Sequence, residues 1–136
     1  MSSNDRGFTL LEALIATGLL VIVSLGSAQL FTIAIARNLS AREQLAMSLL
    51  ASTKVDDLAA AAAEGTIELS PSDSLERGTA GWTDVSVHAG RPYVRRWRVS
   101  QVPGYADDLV AIAVRVTPEA GSGDVRMATI RERVRP

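Results

Sequence analysis

Apolar positions are spread unevenly along the chain. From Ala13 to Ala36 there are 24 residues without a charged side chain. Leu, Val, Ile and Ala dominate this run, only Thr17, Ser24, Ser27, Gln29 and Thr32 are polar, and no proline interrupts it. A helix needs about 20 apolar residues to cross a hydrocarbon core, so the run is long enough to span a membrane. The pattern changes at Arg37. From there to Ala63, apolar residues interleave with Arg42, Glu43, Gln44, Lys54, Asp56 and Asp57. Leu39, Met47, Leu50 and Leu58 recur near helical spacing and predict one apolar face. The run Ala59 to Ala63 favours helix, and Gly65 predicts its stop. Read as one element, Phe8 to Glu64 is a helix of about 85 Å at 1.5 Å per residue. The small and polar residues around Gly26 and Gln29 leave a break there as the alternative.

After Gly65 the period shortens. Thr66 to Thr79 is polar, with Ser70, Pro71, Ser72, Asp73 and Gly78 as turn signals. Four strand-like stretches follow. Trp82 to His88 alternates Val85 and Val87 with polar neighbours. Tyr93 to Val102 places Tyr93, Trp97 and Val99 on one face, with Arg95 breaking it, and Val94, Arg96, Arg98 and Ser100 on the other. Leu109 to Val116 aligns Val110, Ile112, Val114 and Val116 on a core face. Val125 to Val134 aligns Ala128, Ile130 and Val134. Gly90-Arg91-Pro92, Pro103-Gly104 and Gly121-Ser122-Gly123 separate them. Consecutive strands with short connections favour an antiparallel sheet. So small a sheet needs the helix to complete its core. The expected class is therefore α+β: one long N-terminal helix, its second half packed on about four antiparallel strands.

Composition excludes several chemistries. The 136 residues contain no cysteine, which removes disulfides, thiolate catalysis and cysteine metal sites. His88 is the only histidine, so no histidine cluster can bind a metal. Asp84, Asp107 and Asp108 are the carboxylates considered for calcium, but no dense Asp/Asn/Gly loop accompanies them. The net charge of −1 does not suggest nucleic acid as a partner. Arg95, Arg96, Trp97 and Arg98, with Arg91 nearby, are still a local basic-aromatic cluster of the sort that binds single-stranded nucleic acid or a protein partner. A solvated strand face with salt bridges to other subunits is the plainer reading. No nucleophile has a base in view, so no enzymatic activity and no cofactor are expected.

The residues before the apolar run carry the most specific signal. They read Arg6-Gly7-Phe8-Thr9-Leu10-Leu11-Glu12-Ala13. Glycine presents no side-chain bulk, so a protease can approach the backbone closely. Phe8 is a bulky apolar residue suited to the membrane face. Glu12 lies beside hydrocarbon, where an ionised carboxylate costs roughly 2.5–3.5 kcal/mol on insertion scales, which makes it a candidate functional residue. This arrangement resembles the prepilin signal of the type IV pilin-like family. The resemblance implies residues 1–7 as a leader, cleavage between Gly7 and Phe8 by a prepilin peptidase, and N-methylation of Phe8. It also implies that Glu12 pairs with the N-terminal amine of a neighbouring subunit during assembly. On that basis residues 8–36 form the transmembrane and assembly helix, 37–64 its amphipathic continuation, and 65–136 a small periplasmic β domain.

The segment around Arg96-Trp97-Arg98-Val99 and the alternating valines of 109–116 is similar to PilV-like minor pilins and to I-type minor pseudopilins of type II secretion. The missing cysteines fit such minor components better than major pilins, many of which close a C-terminal loop with a disulfide. The implied partners are other pilin or pseudopilin subunits, prepilin peptidase and the inner-membrane assembly platform. Other readings stay open at this stage. One is a secretory signal with Arg6 as its basic region and Gly26-Ser27-Ala28 as cleavage site. Another is a single-pass inner-membrane anchor with a ligand- or partner-binding periplasmic domain. A third is a DNA-uptake pilin built on the arginine cluster.

Overall fold

A computed structural model describes residues 9–105 and 108–134. The sequence-predicted leader and Phe8 lie outside them. The chain forms a helix, α1 (Leu10–Ala63), and four strands, β1 (Thr83–His88), β2 (Arg91–Gln101), β3 (Leu109–Pro118) and β4 (Val125–Glu132). It divides into two compact units, one ending at Ala41 and one running from Arg42 onward.

In the first unit α1 is unbroken through Gly26 and Gln29. The polar residues explain how. Ser24 donates to the Leu20 carbonyl at 2.7 Å, Ser27 to Val23 at 2.8 Å, and Thr32 to Ala28 at 3.1 Å. Each hydroxyl is satisfied by its own helix one turn back, so it needs no water. The large apolar residues of this half are exposed, Leu19, Leu30 and Phe31 among them. They have no partner within the described chain, and the helix is long and apolar enough to cross a membrane.

The second unit is a two-layer α+β structure. The strands pair in chain order, β1-β2-β3-β4, all antiparallel. The helix contributes Met47, Leu50, Ala51, Val55 and Ala62 to the core. The sheet contributes Tyr93, Trp97, Val99, Val110, Ile112, Val114 and Val116, the β2 and β3 residues that period-2 alternation selects. Met47, Leu50 and Leu58 pack on this core as expected, whereas Leu39 lies exposed in the first unit. The small residues Ala46, Ala51 and Ala62 are buried where the helix meets the sheet.

Two connections have physical signatures. At the end of α1, Gly65 has φ 74°, its amide donates to the Ala62 carbonyl at 3.1 Å, and the Thr66 amide donates to Ala61 at 3.0 Å. This pair of bonds on a left-handed residue is a Schellman cap, and it satisfies carbonyls that the helix end would leave open. Between β1 and β2, His88 pairs with Arg91 across a two-residue turn, with Ala89 at φ 50° and Gly90 at φ 76°. Both positive φ values mark a type I′ hairpin turn, whose twist matches that of the strands.

The two edge strands turn their faces differently from expectation. Val85 and Val87 in β1 are exposed, and Asp84 takes the helix-facing side. In β4, Val125 and Met127 pack on the core, while Ile130 is exposed. Alternation identifies which residues share a face, but core contacts decide which face turns inward.

Candidate functional site

The candidate assembly segment begins at the first turn of α1. Thr9 precedes the helix and acts as its N-cap. Its hydroxyl accepts from the Glu12 amide at 3.2 Å, and its carbonyl accepts from the Ala13 amide at 3.1 Å. Glu12 is thus the N3 residue of a Thr-x-x-Glu arrangement, where an acidic side chain complements the positive end of the helix dipole. Its neighbours Leu10, Leu11, Leu14 and Ile15 are exposed apolar side chains. No cation among the described residues forms an ion pair with the Glu12 carboxylate. The segment therefore offers one carboxylate on a capped, apolar helix end, a group able to bind a cationic amine supplied by another chain. Gly7 and Phe8, the expected cleavage and methylation residues, lie outside the described residues.

The arginine-aromatic cluster is divided by the sheet. Arg95 and Trp97 face the helix. Arg95 donates to both oxygens of Asp84, Nε at 2.7 Å and Nη2 at 2.9 Å. Lys54 on α1 reaches the same carboxylate at 3.2 Å, and its Nζ stands 3.7 Å from the centroid of the Trp97 ring. Trp82 packs near Trp97 at a centroid distance of 6.4 Å and an angle of 57°. Arg96 and Arg98 occupy the opposite face, where Arg96 donates to the Glu76 carbonyl at 2.8 Å and Arg98 to that of Ser72 at 3.3 Å. The four residues thus do not share one surface. Two belong to the helix–sheet junction and two lie on the outer face beside the loop.

Asp84 is held ionised. Burial opposes its charge, but hydrogen bonds from Arg95 and Lys54, reinforced by their charges, outweigh that effect and lower its pKa below 3.8. With two cations already bound, Asp84 is a poor ligand for calcium. Among the described residues no group of three or more His, Cys, Asp or Glu side chains is placed to hold a metal.

Two structural sites escape a reading of the sequence alone. Lys54 reads there as one of several interleaved polar residues. It is spaced four residues from Leu50 and seven from Met47, both buried, so a lone lysine on the core stripe was the available signal. The second is the loop after α1. Buried Ser74 donates to the Trp97 carbonyl at 2.8 Å, and Ser70 exchanges backbone and side-chain hydrogen bonds with Val99. The loop thus occupies the edge of β2 beyond the end of β1. Its serines resemble ordinary turn residues in sequence, and nothing local reveals a partner strand.

Residues 2–28 match the family model for the prokaryotic N-terminal methylation motif. The motif spans the candidate cleavage site, Thr9, Glu12 and the first two thirds of the apolar run. Taken with a long N-terminal helix and a four-stranded antiparallel sheet, this match supports a likeness to the type IV pilin-like family. The N-terminal segment thus carries a prepilin-type methylation motif, and the helix it opens is long and apolar enough to cross a membrane. No match to a curated protein or to a solved structure was found.

Proposed function

We propose that this chain is a minor pilin or minor pseudopilin, a structural subunit of a type IV pilus or a type II secretion pseudopilus. The observation that carries the reading is the methylation motif at residues 2–28, continuous with an unbroken apolar helix. In this reading prepilin peptidase cuts between Gly7 and Phe8, and Phe8 is N-methylated. The helix holds the chain in the inner membrane with residues 65–136 in the periplasm, until the assembly platform moves it into a filament of pilin subunits. Two physical terms drive incorporation. The exposed apolar side chains of the first unit pack against neighbouring helices, and the Glu12 carboxylate pairs with the amine of an adjacent Phe8. An uncompensated carboxylate in hydrocarbon is costly, so the pair favours one axial position over others.

Mass spectrometry of the mature N-terminus tests processing, with N-methylphenylalanine at Phe8 as the expected product. A chain retaining Met1, or beginning at Gln29, overturns the reading. Glu12→Ala is expected to be cleaved normally but to lose filament incorporation. Wild-type incorporation of that variant would remove Glu12 from the proposed role.

A further inference from the structure

The sheet ends at β1 on one side and β4 on the other, and the chain treats these two edges differently. An unpaired edge is a row of open backbone donors and acceptors, and proteins blunt it with charges, proline or a covering segment. β4 is blunted. It carries Arg126, Arg131 and Glu132, and just past it the Arg133 and Val134 amides are tied to the Asp108 and Ala62 carbonyls. β1 has no lysine, arginine or proline. Its one acidic residue, Asp84, has both oxygens bound by Arg95 and one of them also by Lys54, so it leaves no unmatched charge at the edge.

Strand register shows which groups of β1 are open. β1 and β2 meet at the His88–Arg91 turn, and the Trp97 amide donates to the Trp82 carbonyl at 3.2 Å. Hydrogen-bonded pairs alternate along an antiparallel ladder, so Asp84, Ser86 and His88 turn their backbone groups towards β2. Those of Thr83, Val85 and Val87 point away from the sheet, and no other segment of the described residues binds them. Because Asp84 faces the helix, the side chains of the same three residues lie on the opposite face. Val85 and Val87 are 62% and 67% exposed there. Thr83 stands opposite Arg96, which donates to the Glu76 carbonyl but forms no ion pair among the described residues.

Open amides and carbonyls at strand spacing are matched by a second extended backbone. We propose that β1 is a docking edge, and that it takes an extended segment of a different protein as a fifth strand. Antiparallel pairing continues this sheet and is the more stable per residue. The segment has apolar residues opposite Val85 and Val87, where they cover those side chains. It has a carboxylate opposite Thr83. That position is two strand spacings from Arg96, about 10 Å between backbones, a gap that Arg and Glu side chains bridge over the small Thr83. A second copy of β1 has only Thr83, Val85 and Val87 to offer at its outward-paired positions, none of them acidic, so it leaves Arg96 unanswered. Charge therefore selects a different chain. A nucleic acid would use Arg96 but leave the valines uncovered and the edge amides unpaired. The edge belongs to the unit from Arg42 onward, so the inference does not depend on how residues 1–8 are processed.

The probe is the blocked, fluorophore-labelled peptide Thr-Val-Thr-Val-Thr-Glu-Thr, added to the full-length chain in detergent. Fluorescence anisotropy should show saturable binding. N-methylation of its valines and glutamate, whose amides face β1, should abolish binding. N-methylation of the threonines between them, whose amides face away, should leave it intact. Exchanging the peptide's glutamate for lysine should weaken binding about threefold, and Arg96→Glu should reverse that order. Val85→Pro removes an outward amide without touching the β1–β2 ladder, so it should abolish binding while the near-ultraviolet circular dichroism of the adjacent Trp82–Trp97 pair is kept. The methylated peptides carry the test even where that variant fails to fold. No binding of the unmethylated peptide, or binding indifferent to which amides are methylated, would overturn the proposal. Self-association abolished by Val85→Pro, with no peptide bound, would assign the edge to a second copy. Retention of a single-stranded oligonucleotide that Arg96→Glu abolishes, with no peptide bound, would assign the face to nucleic acid. Peptide binding by a chain that retains Met1 in its host would refute the subunit reading and keep the docking edge.

Discussion

Asp84 binds two cations at once, and one of them, Lys54, comes from 30 residues away in sequence. Lys54 in turn rests on Trp97, where a cation over an indole face contributes about 0.5–2 kcal/mol depending on desolvation. The group fastens α1 to β1 and β2. Replacing Asp84 by Asn leaves Arg95 and Lys54 without their counter-charge while nearly preserving shape. All three side chains retain some solvent access, so the expected loss is about 1–2 kcal/mol, readable in a denaturant melt at pH 7. The pH dependence follows from the sign of the shift. The folded-state pKa of Asp84 is lowered, so its stabilisation is present above the unfolded value near 3.8 and is lost as pH falls through the folded value. Wild type and Asp84→Asn should therefore converge in stability as pH drops below about 4. A constant difference down to strongly acid pH would show that the carboxylate charge is not the cause.

The elements owe their positions to different signals. α1 combines a membrane-compatible half, whose hydroxyls bond back to the helix, with a half buried through a mixed stripe of Met47, Leu50, Ala51 and Val55. β2 and β3 are central strands with fully buried Val99, Val110 and Ile112, and their alternation is legible directly. The loop after α1 is held by side chains rather than by strand pairing. Ser74→Ala should leave the buried Trp97 carbonyl without its hydroxyl donor and cost about 1–3 kcal/mol. Hydrogen exchange should show the loss first at the amides of Ser70 and Val99, which bond across the same seam. Uniform destabilisation with those amides still protected would place the loop's anchor elsewhere.

At the scale of the molecule, apolar surface is divided between an exposed run and an enclosed core. Among the described residues none before Ala46 is buried within the chain, whereas the sheet unit encloses its own core. The exposed leucines, isoleucines and valines of the first unit suit lipid or neighbouring helices, while the Trp82–Trp97 pair reports on the second. Val21→Arg combined with Leu25→Arg puts two charges into the run, each costing about 2.5–3.5 kcal/mol at the centre of a span. The double variant is expected to shift from the membrane fraction to the alkaline extract while keeping the near-ultraviolet circular dichroism of the tryptophan pair. Retention in the membrane would argue against the run as the anchor.

The sequence alone determined the apolar run, the helix stop at Gly65, the four strands and the pilin-like motif around Gly7, Phe8 and Glu12, because each rests on local chemistry: length without charge, a left-handed glycine, side-chain period and residue order. Tertiary structure decided which side of β1 and β4 turns inward, that Lys54 belongs to the core stripe, and that Arg95 and Trp97 part from Arg96 and Arg98. Alternation assigns residues to two faces but leaves the faces equivalent. Only the distant Lys54–Asp84–Arg95 group and the packing of Val125 and Met127 break that equivalence.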